Sequence, residues 1–558
     1  MATPDSRDDS DLRRLPAAGE KRKHIRRIAW LLFAALSTLY CLLGQGTITA
    51  YDEGSMLEVT KSLVRGGRFD VPPAVGKMGR NGRYFSQYGI GQSMAAVPFY
   101  VVGLAAGRLA ARRGLPASRV ADAVVSFFNC FVTGATVGVV FLFAHELGTS
   151  AKMSVACALT YGLATLALPY AKFFYSDPLC ALLLLCAALH MVRMETMHER
   201  TSAVRRALWI GVFLGLAMLV RIAAAVPALV FVGVLLLRNG LRPNALGRNL
   251  ATTAACVGPL LAAAALIGGY NAWRFGSPTD SGYRGVGFDT PLWYGLYVLL
   301  LSPGRSLFLH SPVVILGAIA FPRLVRHRPF AGWLLLVASA AQVLFFAAFR
   351  YPEGGWSYGP RLLLPVVGFF TLPLALELGY WAGRLPTLAA AGLVATSALV
   401  QLPAVWVHPS RHTYELAAQD PDGFFWRTIH RPADAHVFAL WRDVRDVTCN
   451  AVHDVARLKT MAAHQLRGQH APSSHGGQAV LGSRVVLNAP NFWWLTSYYA
   501  GVPAAAIVAA AAVLAVACVA FAWLLARQMR IVERTAPRSR AHETQRHHAG
   551  VQRGCNGP

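Results

Sequence analysis

Two acidic residues side by side, Asp52 and Glu53, follow directly after the first long apolar run of the chain, and a third acid, Asp177, opens a later one. Carboxylates at the edge of a hydrocarbon layer are costly to hold, so their placement implies a task. Cations occupy comparable positions. Lys77, Arg80 and Arg83 come after the acidic pair, Lys172 precedes Asp177, Arg221 separates two apolar runs, and Arg305 and Arg361 sit in Gly/Pro-rich turns. An arginine held beside Gly and Pro can offer its planar fork to a phosphate. Together these groups point to chemistry on an anionic, lipid-linked substrate. Each also has a plainer reading. Asp52 or Asp177 can cap a helix, the latter with Pro178 in the first helical position. Interfacial arginines anchor to phospholipid, and Trp293, Tyr294, Trp356 and Tyr358 fit an aromatic belt.

The elements that must position these residues are membrane spans. The 558 residues are 55% apolar and only 14% charged, a balance typical of polytopic membrane proteins. The net charge of +26 gathers in loops and tails that flank apolar runs, as orientation signals do, so no nucleic-acid partner is expected. The nine cysteines have no metal-ligand spacing and give no disulfide framework. The N-terminus and the segments 193–206, 238–248, 323–328 and 527–553 are basic and are assigned to the cytoplasm. Parity then requires one of thirteen apolar runs not to cross. The run 90–107, interrupted by Pro98 and Gly103, is the one read as an interfacial or re-entrant helix. Twelve crossings result, with both termini inside and Asp52, Glu53, Asp177 and Arg221 outside.

Along the chain this gives a basic cytoplasmic tail (1–27), a transmembrane region (28–406), an outer soluble segment (407–497), a last span (498–526) and a second basic tail (527–558). The outer segment carries His408, His412, His430, His436, His453, His464, His470 and His475 without metal-ligand spacing, and is expected to be a solvated domain rather than a metal site. Pro472 to Gly477 reads as a loop.

These features resemble the GT-C superfamily of polytopic glycosyltransferases, which take a sugar from a polyprenyl-phosphate donor. Protein O-mannosyltransferases and aminoarabinose transferases are members. The likeness lies in an Asp-Glu pair in the first outer loop, interfacial helices after it, and a second outer acid after the third span. Asp52, Glu53 and Asp177 match those positions. A closer likeness to bacterial members is carried by four strings: Tyr84 to Ser93 (YFSQYGIGQS), Tyr270 to Pro278 (YNAWRFGSP), Leu301 to Arg305 (LSPGR) and Tyr358 to Arg361 (YGPR). The resemblance covers roughly 28–380, and the C-terminal third matches no motif.

The resemblance implies an all-α polytopic membrane protein with about 12 transmembrane helices plus interfacial helices. It implies a bacterial inner-membrane location with the active site facing away from the cytoplasm. The implied reaction moves a hexose or pentose from a polyprenyl-phosphate-linked sugar to an extracytoplasmic glycan, lipid or protein. Asp52 would be the base, with Glu53 and Asp177 the other catalytic acids. Arg305, Arg361, Lys172 and Arg221 would meet the donor phosphate, and Lys77, Arg83, Tyr88, Gln92 and Tyr358 would form substrate loops. One base suffices for this chemistry because the leaving prenyl phosphate is already a stable anion. Metal dependence varies across the superfamily; a divalent ion, if used, would fall to Asp52 and Asp177. A flippase for lipid-linked saccharides or a non-catalytic assembly partner remains the alternative.

Overall fold

The computed structural model describes residues 18–111, 116–195, 199–240, 246–283, 285–380, 384–466 and 484–535. The loop at Pro472 to Gly477, His470 and the ends of both basic tails lie outside the described residues. What is described is almost entirely helical, with one two-stranded antiparallel hairpin that pairs Lys77–Met78 with Tyr84–Phe85.

Eight helices among the described residues are long and apolar enough to cross a membrane. They correspond to eight of the twelve expected crossings. The other four runs form shorter or broken helices: Ala151–Ala164 with Ala167–Tyr170, Ala225–Gly240, Leu307–His310 with Val313–His327, and Leu364–Thr371 with Leu374–Tyr380. A break inside hydrocarbon leaves backbone groups that need partners. Buried side chains supply them here. Leu166 N–H donates to Ser311 Oγ, Val313 N–H donates to Ser397 Oγ, and Ser397 Oγ in turn donates to the Ala164 carbonyl. Three broken or neighbouring helices are thus stitched together at one depth.

Elsewhere the bundle packs through small residues, as membrane helices do. At Gly134 a side chain would collide with Ser37 of the helix Ala18–Leu43, and at Gly211 with the backbone of Cys256. The last helix, Ala504–Thr535, packs on Ala18–Leu43 and leaves most of its surface outward. The run 90–107 folds as Ile90–Ala95 and Val97–Ala111, too short for the long-span class, and the second of these packs against Ala117–Ser126. The segment 407–497 is, in its described residues, a group of helices, Ser410–Gln419, Phe424–His430, His436–His453 and Val455–Leu466, followed by Val485–Asn488 and Trp493–Tyr499.

Candidate active site

The helix Tyr51–Gly66 begins with Ala50 as its cap, so Asp52 is not the capping residue. Glu53 does that work. Its carboxylate accepts the N–H groups of Thr49 and Ala50, each at 3.0 Å, and reaches across to the N–H of Phe174 at 2.6 Å. Glu53 is fully buried, and burial raises its pKa against the lowering effect of these three backbone donors. It therefore fastens the helix start to the turn before Asp177. Asp52, one residue earlier, is left facing open space.

Around Asp52 four sequence-distant residues converge. Its Oδ1 accepts the Tyr88 hydroxyl at 2.5 Å, and its Oδ2 accepts Arg361 Nη1 at 2.8 Å. Burial first, and Asp52 second, push the Tyr88 phenol well above its ordinary pKa, so it is a hydrogen-bond donor at any physiological pH. Asp177 opens the helix Asp177–Glu195 and is completely buried. Its Oδ1 lies 2.7 Å from Arg221 Nη1 and its Oδ2 lies 4.0 Å from Arg361 Nε. Neither oxygen meets a donor in hydrogen-bond alignment, so this attraction is Coulombic. Arg221 is extended at the end of the helix Arg200–Val220, which frees its side chain to turn toward Asp177. Arg361 also stacks on Tyr175, 4.4 Å from the ring centre.

Two cavities meet at this cluster. The first, of about 780 Å³, runs among spans and is walled by Leu219, Leu266, Ile267 and Phe346, with Arg221 and Arg274 as polar groups. The second, of about 740 Å³, lies against the segment 407–497 between Trp356, Tyr414, Phe424, His408 and Arg484. Asp52, Tyr175, Gly354 and Arg361 line both. Asp52 and Arg361 thus form the partition.

The remaining expected site residues have other surroundings. Lys172 is buried and donates to the carbonyls of Val405 and Asn491, satisfying the end of the helix Arg384–Trp406. Burial pushes its pKa down to about 7. Arg305 is buried and donates to the Ser357 carbonyl; burial lowers its pKa to about 10. Tyr358 bonds Val400 O at 2.9 Å and packs on His310. Gln92 donates to Tyr175 O at 3.2 Å, behind the partition. Lys77 and Arg83 lie on the exposed hairpin, with Lys77 5.9 Å from the Tyr51 ring. None of these six lines either cavity. Arg274 does line the first cavity and was not foreseen as a site residue. It donates to Ser86 O and to Asn271 Oδ1, and lies 3.8 Å over Tyr270.

A divalent ion shared by Asp52 and Asp177 does not fit this arrangement. The Arg361 guanidinium lies between the two carboxylates and Arg221 faces the other Asp177 oxygen, so a dication would meet two fixed positive charges.

No protein-family model and no curated relative matches the chain. Among solved structures it is similar to ArnT from Cupriavidus metallidurans in the apo state, with a TM-score of 0.44 at 14% identity, over 87% of this chain and 78% of that one. The same protein bound to undecaprenyl phosphate gives 0.42 at 15% identity, over 87% and 78%. The Archaeoglobus fulgidus oligosaccharyltransferase AglB, in complex with an inhibitory peptide and a dolichol-phosphate, gives 0.40 at 10% identity, over 88% and 72%.

Proposed function

We propose that the protein is a membrane glycosyltransferase that moves a sugar from a polyprenyl-phosphate donor to an acceptor hydroxyl on the non-cytoplasmic side of a bacterial inner membrane. The observation that carries this reading is the partition: one half-buried carboxylate and one guanidinium stand between a cavity with aliphatic and Phe walls among the spans and a cavity under the segment 407–497 walled by Trp, Tyr and Phe rings with His408 and Arg484. A prenyl chain suits the first and a hydrophilic acceptor the second. The transmembrane region 28–406 then supplies the catalytic groups, and the segment 407–497 shapes the acceptor side.

In this mechanism Asp52 takes the proton of the acceptor hydroxyl as its oxygen bonds to the anomeric carbon. The bond from that carbon to the phosphate oxygen breaks, and its electron pair leaves with prenyl phosphate. Attack opposite the phosphate inverts the anomeric centre. Arg221 and Arg361, aimed into the donor cavity, offset the charge that grows on the departing oxygen. Asp177 and Glu53 act as positioning residues, the first through both arginines and the second through the backbone of the Asp52 helix. Lys172 and Arg305 hold the surrounding turns.

The test is release of prenyl phosphate by the purified protein in lipid nanodiscs, given polyprenyl-phosphate sugars and envelope acceptors, beside Asp52→Asn. Release by wild type alone supports a transferase centred on Asp52. Equal release by both proteins refutes that role, and a flippase would tolerate the substitution in a lipid-linked saccharide transport assay.

A further inference from the structure

The outer segment holds a second polar cluster, away from the partition. His412 and Glu415 lie on the helix Ser410–Gln419, and Asp443 lies on the facing helix His436–His453. One ligand atom from each falls within 4.8 Å of the others. We propose that these three side chains form a binding site for a divalent transition metal of the zinc class, which clamps the two helices together.

Three observations support the site. First, Asp443 is 5% exposed, and its Oδ2 has no hydrogen-bond partner. A buried carboxylate oxygen left without a donor is costly, and a cation removes that cost. Second, His412 Nε2 lies 2.9 Å from the Asp434 carbonyl. A carbonyl only accepts, so Nε2 carries the proton and Nδ1 keeps its lone pair. A backbone carbonyl that fixes the ring of a ligand histidine is the usual outer partner of such a residue. Third, the two carboxylates stand close together in a partly desolvated place, each offering an oxygen within 4.8 Å of the other and of a His412 ring nitrogen. Arg411 answers only part of this charge. Its Nη2 pairs with Glu415 Oε1 at 2.8 Å, while its Nη1 is held by Leu487 O.

The donor set fits zinc. One imidazole and two carboxylates are among its common ligands, at about 2.0–2.2 Å, and three protein ligands leave a fourth position for water. Glu415 is partly exposed and offers an entry path. The opposite face of the same short helix contributes Ser410, Tyr414 and Ala417 to the second cavity, with Tyr414 4.7 Å from Trp356. A metal at His412, Glu415 and Asp443 therefore fixes a wall of that cavity from behind.

The experiment uses the full chain in nanodiscs, stripped with EDTA and titrated with Zn²⁺ by calorimetry, then with Co²⁺ as an optical probe of coordination. One high-affinity equivalent is expected, with a rise in Tm and a change in tryptophan fluorescence. His412→Ala and Asp443→Asn should each weaken binding at least about tenfold. Asp443→Asn keeps the shape and removes a buried, unpartnered charge, so its metal-free Tm should equal or exceed that of wild type, and it keeps the test valid if His412→Ala does not fold. Absence of a tight equivalent in wild type, or equal binding by wild type and Asp443→Asn, would overturn the proposal. The second outcome would assign the metal to other histidines.

Discussion

The two cavities share Asp52, Tyr175, Gly354 and Arg361 and differ in the elements that wall them. One takes Leu, Ile and Phe side chains from spans, together with Arg221, Arg274 and several tyrosines. The other is walled by Trp, Tyr, His and Arg contributed by turns and by the soluble helices. For the proposed transferase this difference would let a single residue serve two substrates: the carboxylate at the boundary would meet a hydroxyl arriving from one cavity and a phosphate ester from the other, and neither would have to cross.

Asp52→Asn breaks this comparison most severely, because both sides lose their shared group. Loss of a general base costs about 10²–10⁴-fold in turnover, read as prenyl phosphate release, while Tm stays near wild type. Arg361→Gln comes next. It removes the cation between the two acids and leaves Asp177 less compensated, so turnover should fall about 10²–10³-fold and Tm should fall as well. A matched pair sharpens the contrast. Leu266→Trp narrows the apolar cavity and should raise the donor KM about tenfold or more with acceptor KM unchanged. Trp356→Ala opens the other cavity and should do the reverse. Equal effects of the two on both substrates would erase the distinction between the cavities. Tyr88→Phe is the mildest. It removes one hydrogen bond to a carboxylate, worth about 1.5 kcal/mol, so kcat should fall about tenfold.

Asp52, Asp177, Arg221 and Arg361 were legible in the sequence because each interrupts or borders an apolar run, where a charge without function is expensive. The parity of basic loops placed them on one side, and the structure brings the four together. What the sequence could not tell was the direction in which each charge points. Lys172 and Arg305, like Arg361, sit in turns between apolar runs, yet both point at backbone carbonyls. That choice depends on which carbonyls a neighbouring turn leaves open, and only packing decides it. The sequence makes Asp52 and Glu53 look like a catalytic pair, whereas in the fold the first faces the cavities and the second faces backbone N–H groups. Adjacent helix positions differ in direction by about 100°, so neighbours seldom share a task. His412, Glu415 and Asp443 showed no ligand spacing, because the third member comes from a different helix of the same segment.

The partners of the partition are also separated in time. Asp177 finds Arg221 within the next two spans, but Asp52 leaves the ribosome 309 residues before Arg361. A nascent chain that has not yet delivered Arg361 displays its carboxylate without the guanidinium that completes the partition. The wall between the cavities closes only when most of the chain has been made, so for the proposed transferase a stalled or truncated product would lack the finished partition.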